Sequence, residues 1–172
     1  MRLLEEPLSA ERIVQLLGRL HGFHATWEPA LAAVIPECLL QPRLKLPLLQ
    51  ADLHSLGADE RLVRTLPACP AAAVLCKDMA TGAGSFYVLE GSTLGGRIID
   101  QVLAGAPWYP AAGLRYWNPY REETGKRWKE TLDYLESLPP SWSDRIIGSA
   151  NATFEFLRAW LSPHLPTTGT RS

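Results

Sequence analysis

Across residues 9–31 the apolar positions Ile13, Leu16, Leu17, Leu20, Phe23, Trp27 and Leu31 recur at intervals of three and four. That period predicts an amphipathic helix, with Ser9 as its cap, Pro29 near its end and Pro36 as its stop. The following LLQPRLKLPLLQADLHSLG contains Pro42 and Pro47, which exclude one long helix. A helix over 47–56 fits, with proline in its first turn and Gly57 as its terminator. Residues 59–66 allow another short helix, and Pro67 and Pro70 mark a junction. Residues 70–103 read as one small-sided helix or two, with a weak point at TGAGS, 81–85, and an end at Gly105 and Pro107. Residues 107–119 form an aromatic-rich loop holding Trp108, Tyr109, Tyr116 and Trp117. A helix over 121–138 places Trp128, Leu132 and Leu135 on one side. The last helix should open at a Ser143 cap and bury Ile147, Ala150, Phe154, Leu157 and Leu161. No strand pattern occurs. The expected fold is all-α, a bundle of about six helices in one domain over residues 1–165, followed by a disordered tail over 166–172.

Composition narrows the function classes. The 172 residues are 47% hydrophobic and 20% charged, which suits a folded domain with a sizeable core. A net charge of -1 removes the electrostatic case for nucleic acid. No apolar run approaches membrane-spanning length, and MRLLEEPL lacks signal-peptide character, so a cytoplasmic location is expected. Cys38, Cys69 and Cys76 make no CxxC pair, against a disulfide framework or a zinc knuckle. Cys69 and Cys76 read as small buried hydrophobes. The four histidines are His21, His24, His54 and His164.

One stretch resists the bland reading. YVLEGSTLGG, 87–96, puts Gly91, Gly95 and Gly96 inside a helical pattern, although each interior glycine costs roughly 0.5–1 kcal/mol. Gly91 and Gly95 are four apart and share a face with Tyr87 and Ile98. Bare backbone there serves either close helix packing or a flat ligand resting on the helix, and the clustering with Ser92 and Thr93 favours the ligand. Phosphate binding is disfavoured, because neither GxGxxG nor GKS/T is present.

YVLEGSTLGG resembles the distal-helix signature of bacterial heme oxygenases, the biliverdin-producing class that includes those supplying bacteriophytochromes. LLGRLHGFHATWEPAL, LPLLQADLHSLG, YWNPYREETGKRW and ANATFEFLRAWL resemble other segments of that family in the right order, over roughly residues 4–161. The resemblance implies a heme oxygenase-like bundle and oxidative cleavage of heme to biliverdin, carbon monoxide and ferrous iron. Heme would be both substrate and cofactor, O₂ the oxidant, and electrons would come from an external reductase or ferredoxin. A bacteriophytochrome would be one recipient of the biliverdin. By resemblance Gly91 and Gly95 would contact the heme plane and bound O₂, and Gly96 would let the helix bend. Ser92 falls where many members place a water-organising aspartate. Tyr87 would flank the heme, and Tyr120 and Lys126 lie in the segment resembling the propionate side. Arg19, Arg115 and Arg127 are weaker propionate candidates.

The family's first helix carries a TxxxHxxxE pattern, and its proximal histidine has no counterpart here. The sequence opens at MRLLEEPLS, roughly where that helix should be ending. By register His21 and His24 belong to the second helix. Each is a substitute iron ligand, since neutral imidazole suits iron, but a packed histidine beside Phe23 and Trp27 is the plainer expectation for His24. A non-catalytic tetrapyrrole-binding paralogue therefore stands as the alternative function. A carboxylate-bridged di-iron bundle ranks below both, because no ExxH occurs. Glu90, in an apolar helix, needs a partner, and Arg97 lies two turns on. Glu28 could pair with a neighbouring helix or face solvent.

Overall fold

The computed structural model describes residues 9–162. Seven α-helices are found among them: α1 (Ala10–Ala32), α2 (Glu37–Leu40), α3 (Leu46–Ser55), α4 (Glu60–Arg64), α5 (Met79–Leu103), α6 (Thr124–Glu136) and α7 (Ser143–Leu161). Short 3₁₀ turns join several of them, and no strand occurs among the described residues. The fold is an all-α bundle. No described helix is long and apolar enough to cross a membrane. The tail at 166–172 lies outside the described residues.

The apolar period of α1 does what its spacing requires. Ile13, Leu17, Leu20, Phe23, Trp27 and Leu31 are all buried, and the Ser9 hydroxyl accepts the Arg12 N–H at 3.3 Å. Pro29 sits inside the helix, which continues to Ala32. Phe23, Trp27, Leu31, Leu75, Phe86 and Leu89 belong to one core cluster. Ile13, Leu17, Leu49, Leu53, Leu103 and Leu114 belong to a second. α5 runs past both, so it is the axis of the bundle.

Three local expectations need correction. The chain does not break at TGAGS. It breaks at Lys77–Asp78, where the Asp78 carboxylate accepts the Thr81 N–H and the Thr81 hydroxyl accepts the Asp78 N–H, both at 3.0 Å. This reciprocal capping box starts α5, and residues 82–85 of TGAGS lie buried in its first turns. Ser143 does not cap α7. It is the helix's first residue, and its hydroxyl donates back to the Pro140 carbonyl at 2.8 Å. The predicted buried stripe of α7 is also displaced, since Ile147 and Phe154 are 59% and 58% exposed.

The physical reason for that displacement is how closely α5 and α7 approach. A Cβ at Gly84 would stand 2.3 Å from the Ile146 carbonyl oxygen, so only small side chains fit between the helices. α7 therefore turns Ser149 and Thr153 inward. Burying them is tolerated because both hydroxyls are bonded: Ser149 to the Thr81 carbonyl at 2.6 Å and Thr153 to the Ser149 carbonyl at 2.8 Å. Gly84→Ala should destabilise the protein by about 1–3 kcal/mol through overpacking. Phe154→Ala should change stability by no more than about 0.5 kcal/mol, against about 3–5 kcal/mol for a core phenylalanine. Urea unfolding of the two variants checks both values.

Candidate functional site

α1 brings His24 and Glu28 to one face, a turn apart, and buries both. Glu28 Oε1 accepts the Lys45 N–H at 2.7 Å and the Leu46 N–H at 3.1 Å. It thus caps the N-terminus of α3, where unpaired N–H groups favour an anion. His24 Nδ1 lies 3.0 Å from the same oxygen, and its Nε2 lies 3.4 Å from the Tyr116 hydroxyl. Facing a carboxylate, Nδ1 is the donor. Burial lowers the His24 pKa from 6.5 despite the opposing pull of Glu28 and Glu90.

Next to this pair sits a buried ion network. Lys45 Nζ donates to Glu90 Oε1 at 2.6 Å and to the Tyr120 hydroxyl at 3.0 Å. Tyr120 in turn donates to the Glu90 carboxylate, 2.8 Å and 2.9 Å from its two oxygens. Arg43 Nε stands 3.2 Å from Glu90 Oε2, at an angle that makes an ion pair rather than a hydrogen bond. The Arg43 fork also reaches the Leu39 carbonyl, the Arg127 carbonyl and the Glu130 carboxylate at 2.6, 3.1 and 2.7 Å. Burial and the Glu90 charge push the Tyr120 phenol far above its usual range, so it is a fixed donor. Glu90 thus has partners, but Arg97 is not one of them.

A third buried carboxylate, Asp52, accepts the Arg115 and Tyr116 N–H groups, each at 2.8 Å. Desolvation raises its pKa against those two bonds. It ties the aromatic loop to α3. Arg43, Lys45 and Asp52 were not singled out from sequence. The available signal was charge inside an apolar run, LLQPRLKLPLLQADL, since a charge there must find a partner.

The three glycines of 87–96 have different fates, although α5 runs unbroken through them. A Cβ at Gly96 would meet the Trp117 carbonyl oxygen at 1.9 Å, so the aromatic loop demands that glycine. Over Gly91 stands the Trp128 indole, 3.4 Å from an ideal Cβ. Gly95 faces open space, with nothing within 4 Å of an ideal Cβ. Around it Leu94, Ile98 and Val102 are 48, 62 and 45% exposed. One turn before Gly91, Tyr87 is also exposed and its ring centroid lies 5.4 Å from that of Trp128. Among helical glycines Gly125 of α6 and Gly148 of α7 share the open setting, but one turn away Gly125 has Lys129, and Gly148 has Asp144 and Asn151, where Gly95 has Ile98 and Ile99.

The other candidates are scattered. The Ser92 hydroxyl folds back onto the Leu89 carbonyl at 2.7 Å. Lys126 is exposed in the first turn of α6. Arg19 donates to the Trp160 carbonyl at 2.7 Å and lies 4.2 Å over the Trp160 ring centroid. Arg127 pairs with Glu123 and Glu130. His21 faces Gln50 at 3.5 Å, and His54 bonds the Ala58 carbonyl at 2.9 Å. His164 lies outside the described residues. Among the described residues no group of three or more His, Cys, Asp or Glu side chains could hold a metal ion. No family model, curated protein or solved structure matches the chain.

Two outcomes follow from the buried charges. Glu90→Ala strands Lys45 and Arg43 and should cost about 3–5 kcal/mol in urea unfolding. The His24 pKa is lowered on folding, so the unfolded chain takes up that proton first. The stability it contributes is complete above pH 6.5 and is lost as pH falls. Lys45 adds to this and Glu28 and Glu90 oppose it. His24→Asn should therefore flatten the stability profile below neutrality, as read from urea midpoints between pH 7.5 and pH 5.

Proposed function

We propose that this chain binds heme against the Gly95 face of α5 and oxidises it to biliverdin, carbon monoxide and ferrous iron. It would act as a heme oxygenase of the type that supplies bacteriophytochromes. The observation that carries the reading is Gly95. Its neighbours leave room for a side chain, so packing does not demand glycine, and alanine would make a helix more stable by roughly 0.5–1 kcal/mol. A ligand lying on the backbone supplies the missing demand. The exposed rim of Leu94, Ile98 and Val102 suits a flat apolar ring, whose burial contributes roughly 25 cal/mol per Å² of apolar surface. The likeness of YVLEGSTLGG to the family's distal helix supplies the identity of that ring.

The bare backbone at Gly95 leaves space for a diatomic gas between helix and ring. Leu94, Ile98 and Val102 exclude water from that space. Heme, as substrate, supplies the iron that activates O₂, and electrons arrive from an external reductase or ferredoxin. Tyr120 is bound inward to Glu90, which leaves Lys126 as the exposed cation of that pair for a propionate. The fit is to the ring and not to the iron. His24 is wholly enclosed, and His21 and His54 stand against Gln50 and Ala58, so none presents an imidazole to this face. That placement favours a second reading, a tetrapyrrole binder without turnover.

Hemin titration followed at the Soret band tests the reading on the parent, Gly95→Ala and Gly95→Leu. Gly95→Leu should bind hemin at least about tenfold more weakly, a change of about 1.4 kcal/mol, with its melting temperature kept. Equal hemin affinity in parent and Gly95→Leu would sink it. Biliverdin formed under a reductase and ferredoxin separates the enzyme from the binder.

A further inference from the structure

A polar cleft of about 270 Å³ opens between α3, the second half of α5 and the loop before α6, lined in part by Asp100, Arg115, Asn118 and Arg121. We infer that this cleft is a binding site for a small multiply charged oxyanion, a phosphate or a polycarboxylate, gripped by Arg115 and Arg121.

The loop that carries the two cations is anchored from below by alternating inward residues. Asp52 holds the Arg115 and Tyr116 N–H groups at 2.8 Å, and the Tyr116 side chain is buried. Tyr120 is tied by its hydroxyl to Glu90 and Lys45. With Tyr116 and Tyr120 turned inward, Arg115 and Arg121 are left exposed at the cleft. Neither guanidinium makes a hydrogen bond or ion pair with the described residues, unlike Arg43, Arg127, Arg145 and Arg158. Arg121 also holds a φ of 51°, and among the described non-glycine residues it alone has a positive φ. That conformation crowds the Cβ against the backbone carbonyl, and such strain concentrates where a side chain has to be aimed.

At the cleft surface the cations outnumber the carboxylates. Two guanidiniums and one carboxylate, Asp100, line the cleft. Asp100 already accepts a hydrogen bond from the Tyr109 hydroxyl. The Asp52 carboxylate beneath, close enough to feel the Arg115 charge, is buried and taken up by the Arg115 and Tyr116 N–H groups. Planar guanidiniums bind carboxylate and phosphate oxygens through paired N–H donors, and the Asn118 amide adds a neutral donor. The site does not rest on the heme reading. Asp100 is five residues beyond Gly95, about 140° around the helix, so the cleft and the open glycine face look in different directions.

Isothermal titration with pyrophosphate, inorganic phosphate and citrate, at fixed ionic strength and without hemin, tests the proposal. The parent should bind one equivalent of at least one of the three. Arg115→Gln and Arg121→Gln should each weaken it about tenfold, while Arg145→Gln, a distant surface arginine, leaves it unchanged. Both substituted side chains are exposed, so circular dichroism should show the parent's helix content and melting. Preference for pyrophosphate marks a phosphate ligand, and preference for citrate marks a polycarboxylate; either supports the site. No binding by the parent at millimolar anion, or an equal loss in Arg145→Gln, would overturn it. So would displacement of the anion by hemin, which would make the cleft the rim of the heme site.

Discussion

Glu90 is where the bundle is tied together. Its carboxylate sits in the middle of α5, 2% exposed, and takes bonds from Lys45 and Tyr120 with Arg43 alongside. A lone carboxylate at that depth would be prohibitive. Its presence obliges the segment before α3, the loop before α6 and, through Arg43 and Glu130, α6 itself to converge on one point of α5. Hydrophobic burial drives these elements together without direction, and the ion network fixes how they meet. Buried ion pairs are weak sources of net stability but strict about geometry, which suits a loop-rich region whose backbone would otherwise have many ways to pack.

The same logic extends outward through Glu28 and Asp52. Each carboxylate is held by backbone N–H groups of another segment: Glu28 by the start of α3, Asp52 by the aromatic loop. Satisfying those donors links α1 to α3 and α3 to residues 115–116. His24 then fills the space between Glu28 and Tyr116, with its ring edge-on to Phe23, Trp27 and Tyr116. The ring is fully enclosed in this polar seam.

α5 also shows why one motif can hold several demands. Gly84 and Gly96 are required by neighbouring carbonyls, and Gly91 lies beneath the Trp128 indole. Gly95 has no neighbour to answer to. The difference lies in what crosses each point of the helix, so one glycine-rich signature contains both packing positions and a vacant apolar face. On another side of the same helix the anchored loop presents two cations to the cleft at Asp100.

The sequence by itself determined which long segments are helical and nearly where they end, although it missed α2 and did not separate the 3₁₀ turn Pro70–Cys76 from α5. Local periodicity and caps are enough for that: α1 closes within a residue of its expected end, and α3 and α4 sit where Pro47, Gly57 and Asp59 put them. It also marked Gly91, Gly95 and Gly96 as unusual and Glu90 as needing a partner. Tertiary structure decided everything that depends on contacts distant in sequence. It chose Lys45, Arg43 and Tyr120 over Arg97 for Glu90, turned α7 so that Ser149 and Thr153 face inward while Phe154 is exposed, and separated the three glycines by their neighbours. Helical spacing reports which residues share a face, whereas the depth of approach on that face is set by the partner helix, and a chain read position by position does not contain it.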